Sequence, residues 1–143
     1  MKRLHMHIGV EQLEEAIQFY SKLLEAEPVK RKPDYAKWML DDPAINFSIT
    51  CTACGRGIDH VGVQFDTLDE LNDLRDRLHS TSTESITQDA AECCYAKSDK
   101  NWLRDPDGVV WETFVTHEQR ETFGADRAPI DFDHTKSAER CCA

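Results

Sequence analysis

The feature that most constrains the fold is an internal repeat at a spacing of 55 residues. That shift aligns four pairs without a gap: His5 with His60, Ile8 with Val63, Leu13 with Leu68, and Leu23 with Leu78. Two copies of a unit this long indicate a duplication, because a stable solenoid needs at least three repeats. We therefore expect two copies of one supersecondary unit.

Each copy begins with a strand and continues as a helix. Residues 3–10, RLHMHIGV, alternate in polarity, which is typical of a half-buried strand. Residues 11–27, EQLEEAIQFYSKLLEAE, have apolar side chains at helical spacing and acids near the start, which suit the helix dipole. In the second copy DHVGVQFD and TLDELNDLRDRLHS repeat this order, with Thr67 as the predicted N-cap.

Short strands are predicted after each helix. DYAKWMLDD and AINFSIT follow the first, and KNWLRD and VVWETFVT form a predicted hairpin around residues 106–108. The predicted fold is α+β, with two strand–helix–strand–strand–strand modules, about 1–52 and 57–116, in a cupped mixed sheet. Residues 117–143 lose this periodicity and are predicted to form a charged, mobile tail.

One face of the predicted sheets is polar. The residues on it are His5, His7 and Gly9, then His60, Gly62 and Gln64, then Val110, Glu112 and Phe114. Imidazoles and a carboxylate on such a face need water, hydrogen bonds or a metal, because burying them unpaired is costly. Two such faces that curve toward each other would enclose a polar cavity.

The six cysteines occur in close pairs. The pairs are Cys51 with Cys54, Cys93 with Cys94, and Cys141 with Cys142. Adjacent cysteines rarely form a good disulfide with each other, and in a reducing compartment such pairs more often indicate metal or redox chemistry. The single C-x-x-C of the first pair lacks the second pair that a structural zinc site needs, so we interpret it as incidental.

Charge and the N-terminal sequence narrow the setting. A formal net charge of −10 opposes binding to nucleic acid or to an anionic membrane. The start, MKRLHMHIGV, has neither the apolar core nor the cleavage site of a signal peptide, and no apolar run is long enough to span a bilayer. A cytoplasmic protein is therefore expected.

Two segments, AIQFYSKLL and WLRDPDGVVWETF, resemble the vicinal oxygen chelate superfamily of glyoxalases, bleomycin-resistance proteins and extradiol dioxygenases. The resemblance covers roughly residues 3–116 and implies a metal site with His5, His60 and Glu112 as ligands. Two imidazoles and a carboxylate with open positions suit Fe(II). The local match of HIGV to HVGV, at a shift of 53, favours His7 instead. We prefer His5, because the 55-residue shift keeps both strand and helix in register.

The segment ECCYAKSDK resembles a narrower branch, the non-haem Fe(II) dioxygenases that cleave carbon–arsenic bonds, with relatives described as cadmium-induced. This resemblance implies dioxygen and trivalent organoarsenicals, methyl and aromatic, as substrates, with arsenite released. It also implies that Cys93 and Cys94 bind arsenic, because a soft element takes thiolate ligands and a flexible loop lets both sulfurs reach one atom. Lys97 or Lys100 could assist.

Two alternatives to this function stay open. The first is another metalloenzyme of the superfamily, either a glyoxalase or an extradiol dioxygenase. Glyoxalases of this type use a fourth, acidic ligand, whereas AINFSIT offers only Asn46, Ser48 and Thr50. The second is a thiol-based protein that binds arsenic or cadmium without turnover. The sequence also leaves open the preferred organic group, the oligomeric state, and whether Cys141 and Cys142 capture substrate.

Overall fold

The two predicted modules follow one another in the computed structural model, which describes residues 1–51, 55–81, 84–126 and 128–129. The first contains β1 (Arg3–Gly9), α1 (Leu13–Leu23), β2 (Lys30–Lys32), β3 (Tyr35–Asp41) and β4 (Ala44–Thr50). The second contains β5 (Gly57–Phe65), α2 (Leu68–His79), β6 (Ser85–Cys93), β7 (Ala96–Arg104) and β8 (Val110–Gln119). The predicted strand–helix–strand–strand–strand order is confirmed in both modules.

All eight strands form one mixed sheet in the order β2-β3-β4-β1-β5-β8-β7-β6. At its centre β1 pairs with β5 antiparallel, and each also pairs in parallel with the last strand of its own module. In the central ladder His5 lies opposite Gly62, and His7 lies opposite His60. Since these two pairs are related by the 55-residue shift, the sequence repeat becomes an approximate two-fold relation at the centre of the sheet.

The helices cover the apolar side of the sheet. Leu13 and Ile17 of α1 join a core cluster whose other buried members are Ala36, Trp38, Phe47 and Ile49. Leu71 of α2 is fully buried against Phe65 and Val115. Each fully buried large side chain of this kind stabilises the fold by about 2 kcal/mol relative to exposure. The Oγ1 of Thr67 accepts a hydrogen bond from the backbone N–H of Glu70, so the predicted N-cap is confirmed.

Residues 117–126 belong to the segment that was expected to be a mobile tail, yet they form hydrogen-bonded structure. Strand β8 continues through Gln119, so the predicted boundary falls inside a strand. The backbone N–H of Arg120 then donates to the carbonyl of Tyr95 at 2.8 Å, and the N–H of Tyr95 donates to the carbonyl of Phe123 at 3.3 Å. Residues 120–126 therefore pack against the turn that connects β6 to β7. The predicted cysteine pair of the tail lies outside the described residues.

Helix length bears on one further expectation. Within the described parts of the chain, neither helix is long and apolar enough to cross a membrane.

Candidate metal and thiol site

Three potential metal ligands meet on the concave side of the sheet. His5 on β1, His60 on β5 and Glu112 on β8 come from three adjacent strands, and all three are buried. The two Nε2 atoms lie 3.2 Å apart. Oε2 of Glu112 lies 3.4 Å from Nε2 of His5 and 3.2 Å from Nε2 of His60. The structure thus brings together the three residues that the sequence predicted as ligands.

These separations fit a bound divalent cation. At metal–ligand distances of about 2.1 Å, ligand atoms in neighbouring octahedral positions lie roughly 3.0 Å apart. The observed separations of 3.2–3.4 Å need only a small contraction to reach that geometry. Two imidazoles and a carboxylate on one side, with positions left open on the other, are the donor set of non-haem Fe(II) oxygenases.

Each imidazole is oriented by a partner behind it. Nδ1 of His5 lies 3.0 Å from the carbonyl of Asn46, and Nδ1 of His60 lies 2.8 Å from Oδ2 of Asp59. These contacts turn Nε2 toward the centre of the site, as outer partners do for metal-bound histidines. Burial lowers the pKa of His5 to about 4, so its imidazole is neutral and able to act as a ligand at neutral pH.

His60 carries a proton that a metal would replace. Burial opposes its charged form, yet hydrogen bonds with Asp59 and Glu112 raise the pKa of His60 to about 9. In the metal-free protein the imidazole of His60 is therefore protonated and positively charged beside the carboxylate of Glu112. A divalent cation bound by the three residues would displace this proton from His60 and supply the positive charge beside Glu112 in its place.

Lys100 forms an ion pair with Glu112, one of the three predicted ligands. Its Nζ donates to Oε1 of Glu112 at 2.6 Å, and the ammonium is buried. Although burial opposes ionisation, the charge of Lys100 and the hydrogen bond with His60 hold the pKa of Glu112 well below its usual range. The sequence suggested that Lys100 could hold a substrate group, whereas the structure places its ammonium on Glu112. Lys97 does not line the cavity.

His7 lies beside the three predicted ligands but outside their converging group. Its Nδ1 is 2.7 Å from Oγ of Ser48, and its ring stacks on that of His60 with centroids 5.1 Å apart. The described ligand atoms that converge are those of His5, His60 and Glu112. The geometry therefore favours His5 over His7 as the histidine of the first strand.

The cavity side of β4 is polar and uncharged, as the sequence predicted. Asn46, Ser48 and Thr50 are all buried there, and Nδ2 of Asn46 donates to Oε1 of Gln64 at 2.9 Å. In the described part of the chain these residues add no acidic fourth donor to the group formed by His5, His60 and Glu112. This donor set is unlike that of the glyoxalase-type site considered above.

The vicinal thiols occupy a tight turn instead of the flexible loop that we expected. Cys93 is the last residue of β6, and Cys94 and Tyr95 alone connect it to β7. Cys94 and Tyr95 have φ of 57° and 61°, and two-residue hairpins of type I′ need positive φ at both positions. Both cysteines are in the thiol form, and their sulfurs lie 2.9 Å apart. The turn therefore presents two sulfurs to the same point in space.

Contacts from both modules hold this turn in place. The hydroxyl of Tyr95 donates to Oδ1 of Asp34 at 2.5 Å, and Nζ of Lys30 donates to the carbonyl of Tyr95 at 2.9 Å. The rings of Tyr35 and Phe123 pack against that of Tyr95. Since Asp34 and Lys30 belong to the first module, the turn connects opposite ends of the curved sheet and covers the concave side.

The thiols and the three predicted ligands line one cavity. The volume that the centre of a water-sized molecule can occupy in this cavity is about 40 Å³. Tyr35, Trp102 and Phe114 supply aromatic surface, and Lys37 supplies a charge. Lys37 was not among the residues predicted from the sequence, although its position two residues after Tyr35 on an alternating strand places it on the same face.

The remaining described cysteine lies apart from this cavity. The Sγ of Cys51 donates to the carbonyl of Glu11 at 3.0 Å. Its predicted neighbour, Cys54, lies outside the described residues. The interpretation of Cys51 and Cys54 as an incidental pair therefore stays a prediction.

A cupped sheet of two βαβββ modules, with histidines and a glutamate on its concave side, defines a class of metal-binding proteins. The family model of the Glyoxalase/Bleomycin resistance protein/Dioxygenase superfamily matches residues 2–113. The chain belongs to this superfamily, and the predicted family is confirmed.

Two relatives are similar over most of the chain. A "Trivalent organoarsenical cleaving enzyme" from Bacillus sp. (strain MD1) is 42% identical over 119 residues, covering 81% of this chain and 74% of the relative. The "Cadmium-induced protein CadI" of Mycobacterium bovis is 32% identical over 143 residues, covering 99% of this chain and 93% of the relative. The resemblance to the arsenic-related branch is therefore confirmed.

Solved structures share the fold at lower identity. The 2,3-dioxygenase LapB from Pseudomonas sp. KL28 superimposes with a TM-score of 0.62 at 20% identity, covering 90% of this chain and 44% of that chain. This likeness confirms the predicted α+β fold with its curved mixed sheet.

Proposed function

We propose that the protein is an Fe(II)-dependent dioxygenase that cleaves the carbon–arsenic bond of trivalent organoarsenicals, both methyl and aromatic, and releases arsenite. The observation that carries this proposal is a single cavity lined both by three potential iron ligands and by a vicinal thiol pair. The relative from Bacillus sp., named as an organoarsenical cleaving enzyme, supports it.

The thiol pair supplies the substrate site. A trivalent arsenic with one organic substituent has two further valences, and Cys93 and Cys94 offer two sulfurs 2.9 Å apart. Exchange of two arsenic-bound hydroxyls for the two sulfurs forms two As–S bonds and releases two water molecules when both sulfurs enter as thiols. The proposed cytoplasmic location keeps those thiols reduced.

The ligand side of the cavity supplies the oxidation site. Bound Fe(II) would supply one-electron chemistry with dioxygen, because three protein ligands leave positions open. Asn46 and Asp59 keep the imidazoles of His5 and His60 aimed at one point. Lys100 keeps Glu112 ionised and holds its Oε1, which leaves Oε2 for the metal.

The overall reaction balances without a further reductant for the simplest substrate. Methylarsonous acid and one dioxygen molecule contain the atoms of formaldehyde and arsenous acid. The C–As bond breaks, the methyl carbon is oxidised, arsenic stays trivalent, and dioxygen is reduced. After cleavage, hydrolysis of the As–S bonds would return Cys93 and Cys94 to thiols and free arsenite.

A second candidate is a thiol protein that binds arsenic or cadmium without turnover. The 32% identity to a cadmium-induced protein over the length of the chain favours it. This candidate needs Cys93 and Cys94 but gives no role to the buried His5, His60 and Glu112. Dependence on iron and dioxygen therefore separates the two candidates.

One experiment tests the proposed function. The protein is loaded with Fe(II) without oxygen, mixed with methylarsonous or phenylarsonous acid, and exposed to isotopically labelled dioxygen. We expect arsenite release only with both iron and dioxygen, and labelled oxygen in the organic product. Release without dioxygen would exclude a dioxygenase, and tight binding with no release under any condition would favour the sequestering protein.

A further inference from the structure

One wall of the cavity carries a row of polar side chains that the proposed function does not use. Lys37 on β3 lies opposite Ser48 on β4, and Ser48 lies beside His7 on β1. All three line the cavity together with the thiols. The row leads from the ligand His60, on which His7 stacks, outward along the first module.

At the inner end of the row one nitrogen has no partner. His7 is 1% exposed, and its Nε2 is buried without a hydrogen bond among the described residues. Its Nδ1 lies 2.7 Å from the hydroxyl of Ser48. When that hydroxyl donates to Nδ1, the neutral ring carries its hydrogen on Nε2. Leaving such a donor unpaired in the protein interior is unfavourable, and a bound acceptor would remove this penalty.

At the outer end of the row one cation has no anion. Among the described residues the half-buried ammonium of Lys37 makes neither a hydrogen bond nor an ion pair, whereas Lys100 is paired with Glu112. Burial and the nearby charge of Lys30 lower the pKa of Lys37 to about 8, and a negative charge on Cys94 opposes this shift. A thiolate on Cys94 is thus a negative charge that acts on Lys37.

Substrate binding would remove that charge. Once both sulfurs are bonded to arsenic, neither carries a full negative charge, and Lys37 loses the thiolate charge that acted on it. An anionic oxygen on the substrate is the group that would pair with Lys37 and also accept from His7. Tyr35 and Phe114 line the same cavity and could contact an aromatic ring that bears such a group.

We propose that Lys37 and His7 form a subsite for an acidic substituent on the organic group of the arsenical, a carboxylate or a phenolate. The inference rests on the proposed function, since Cys93 and Cys94 must hold the arsenic. It assigns specificity for arylarsenicals with an acidic group to residues that lie outside the ligand set and the thiol pair. Lys37 and His7 act here as substrate-binding residues.

The test compares two probes on iron-loaded full-length protein without oxygen. The probes are phenylarsonous acid and its carboxylated derivatives, with the carboxylate meta or para to arsenic. We expect the better carboxylated probe to bind about tenfold more tightly than phenylarsonous acid, as a charge-assisted contact allows. Lys37→Met should abolish this preference, so that its loss of affinity is about tenfold larger for the carboxylated probe than for phenylarsonous acid.

Two further variants keep the result specific. Lys97→Met removes the same charge outside the cavity lining and should retain the preference. His7→Phe keeps a ring without the donor and should weaken binding of the carboxylated probe severalfold while the protein retains its iron.

Three outcomes overturn the inference. The first is a wild-type protein that binds both probes equally, and the second is a Lys37→Met protein that loses equal affinity for both. In either case, binding that still requires Cys93 and Cys94 leaves the proposed function standing. In the third outcome, neither probe needs Cys93 and Cys94 in order to bind. This result overturns the proposed function and the inference together.

Discussion

Lys100 and Glu112 form a buried ion pair in which Nζ donates to Oε1 at 2.6 Å, while Oε2 faces the two imidazoles. One carboxylate oxygen of Glu112 thus binds Lys100, and the other lies where a metal between the two imidazoles would bind. Breaking a buried pair from one side leaves an uncompensated charge, which destabilises more than the pair itself stabilises. The pair therefore stabilises the metal-free protein and also keeps the Glu112 carboxylate ionised and oriented for a metal.

This coupling gives the first prediction. Lys100→Met should destabilise the metal-free protein by on the order of 3 kcal/mol, because Glu112 keeps only protonated His60 as a partner. Fe(II) should recover most of that loss, since a bound cation replaces the missing charge. Thermal unfolding with and without iron measures both effects. The matched Lys97→Met protein should behave as wild type, and equal stability of the two metal-free variants would contradict the prediction.

The second prediction concerns the choice of ligands. Changing His5, His60 or Glu112 to Ala should abolish stoichiometric iron binding, whereas His7→Ala should retain it, because His7 lies outside the converging group. Metal analysis after anaerobic loading gives the occupancy, and circular dichroism checks that each variant folds. Loss of iron in His7→Ala together with full occupancy in His5→Ala would assign the first-strand ligand to His7.

Much of this site could be predicted from the sequence because it depends on periodicity. Alternation along β1 and β5 puts His5 and His60 on one face, and the 55-residue repeat puts them at matching positions of paired strands. The tight turn could not be predicted in this way. Positive φ at Cys94 and Tyr95 has no local signal, since neither residue is the Gly or Asn that such turns favour.

The packing of residues 120–126 against the cysteine turn, which we call the clasp, could not be predicted from the sequence either. Its hydrogen bonds join Arg120 and Phe123 to Tyr95, more than twenty residues earlier in the chain. Contacts between residues so far apart are not predicted by any local sequence pattern. Charged, aperiodic sequence usually indicates disorder, and here long-range backbone pairing overrides it. The pairing of Lys100 with Glu112 depends in the same way on the register of β7 with β8.

The third prediction tests this clasp. Gly124 has φ of +88°, and a Cβ at this position would lie 2.0 Å from the carbonyl oxygen of Glu92. Gly124→Ala should therefore detach residues 120–126 from the cysteine turn and weaken phenylarsonous acid binding by about tenfold, since loss of preorganisation lowers affinity. Iron occupancy should not change, because the ligands lie on other strands.

A matched glycine provides the control for the clasp. Gly108 has a similar φ of +90°, but a Cβ there would meet nothing within 4 Å. Gly108→Ala should cost about 1 kcal/mol of stability through backbone strain alone. It should bind the arsenical normally. If both alanine variants weaken binding equally, the clasp has no specific part in holding the turn.

The fourth prediction concerns pH and Lys37. The pKa of Lys37 is about 8 in the folded protein and 10.5 in the reference state, so between these values the unfolded chain binds more protons. Stability contributed by this group therefore rises with pH across that window. The free energy of unfolding of wild type minus that of Lys37→Met should increase from pH 8 to 10.5 in urea titrations. A difference that stays flat or falls would show that burial does not depress the pKa of Lys37.

The last prediction rests on the thiol pair. Cys93→Ser and Cys94→Ser should each retain iron, because His5, His60 and Glu112 lie on other strands. Each should lose at least about a hundredfold in affinity for phenylarsonous acid, since one thiolate replaces a chelating pair and effective concentration is lost. Arsenite release should fall with binding.

Measurement of iron occupancy, arsenical affinity and arsenite release on the same preparations separates the possible causes. Replacing Cys141 and Cys142, which lie outside the described residues, should lower the efficiency of capture at most. A Cys93→Ser, Cys94→Ser double variant that released arsenite at the wild-type rate would remove the substrate assignment. One that still bound the arsenical tightly would place the arsenic site on other thiols of the chain.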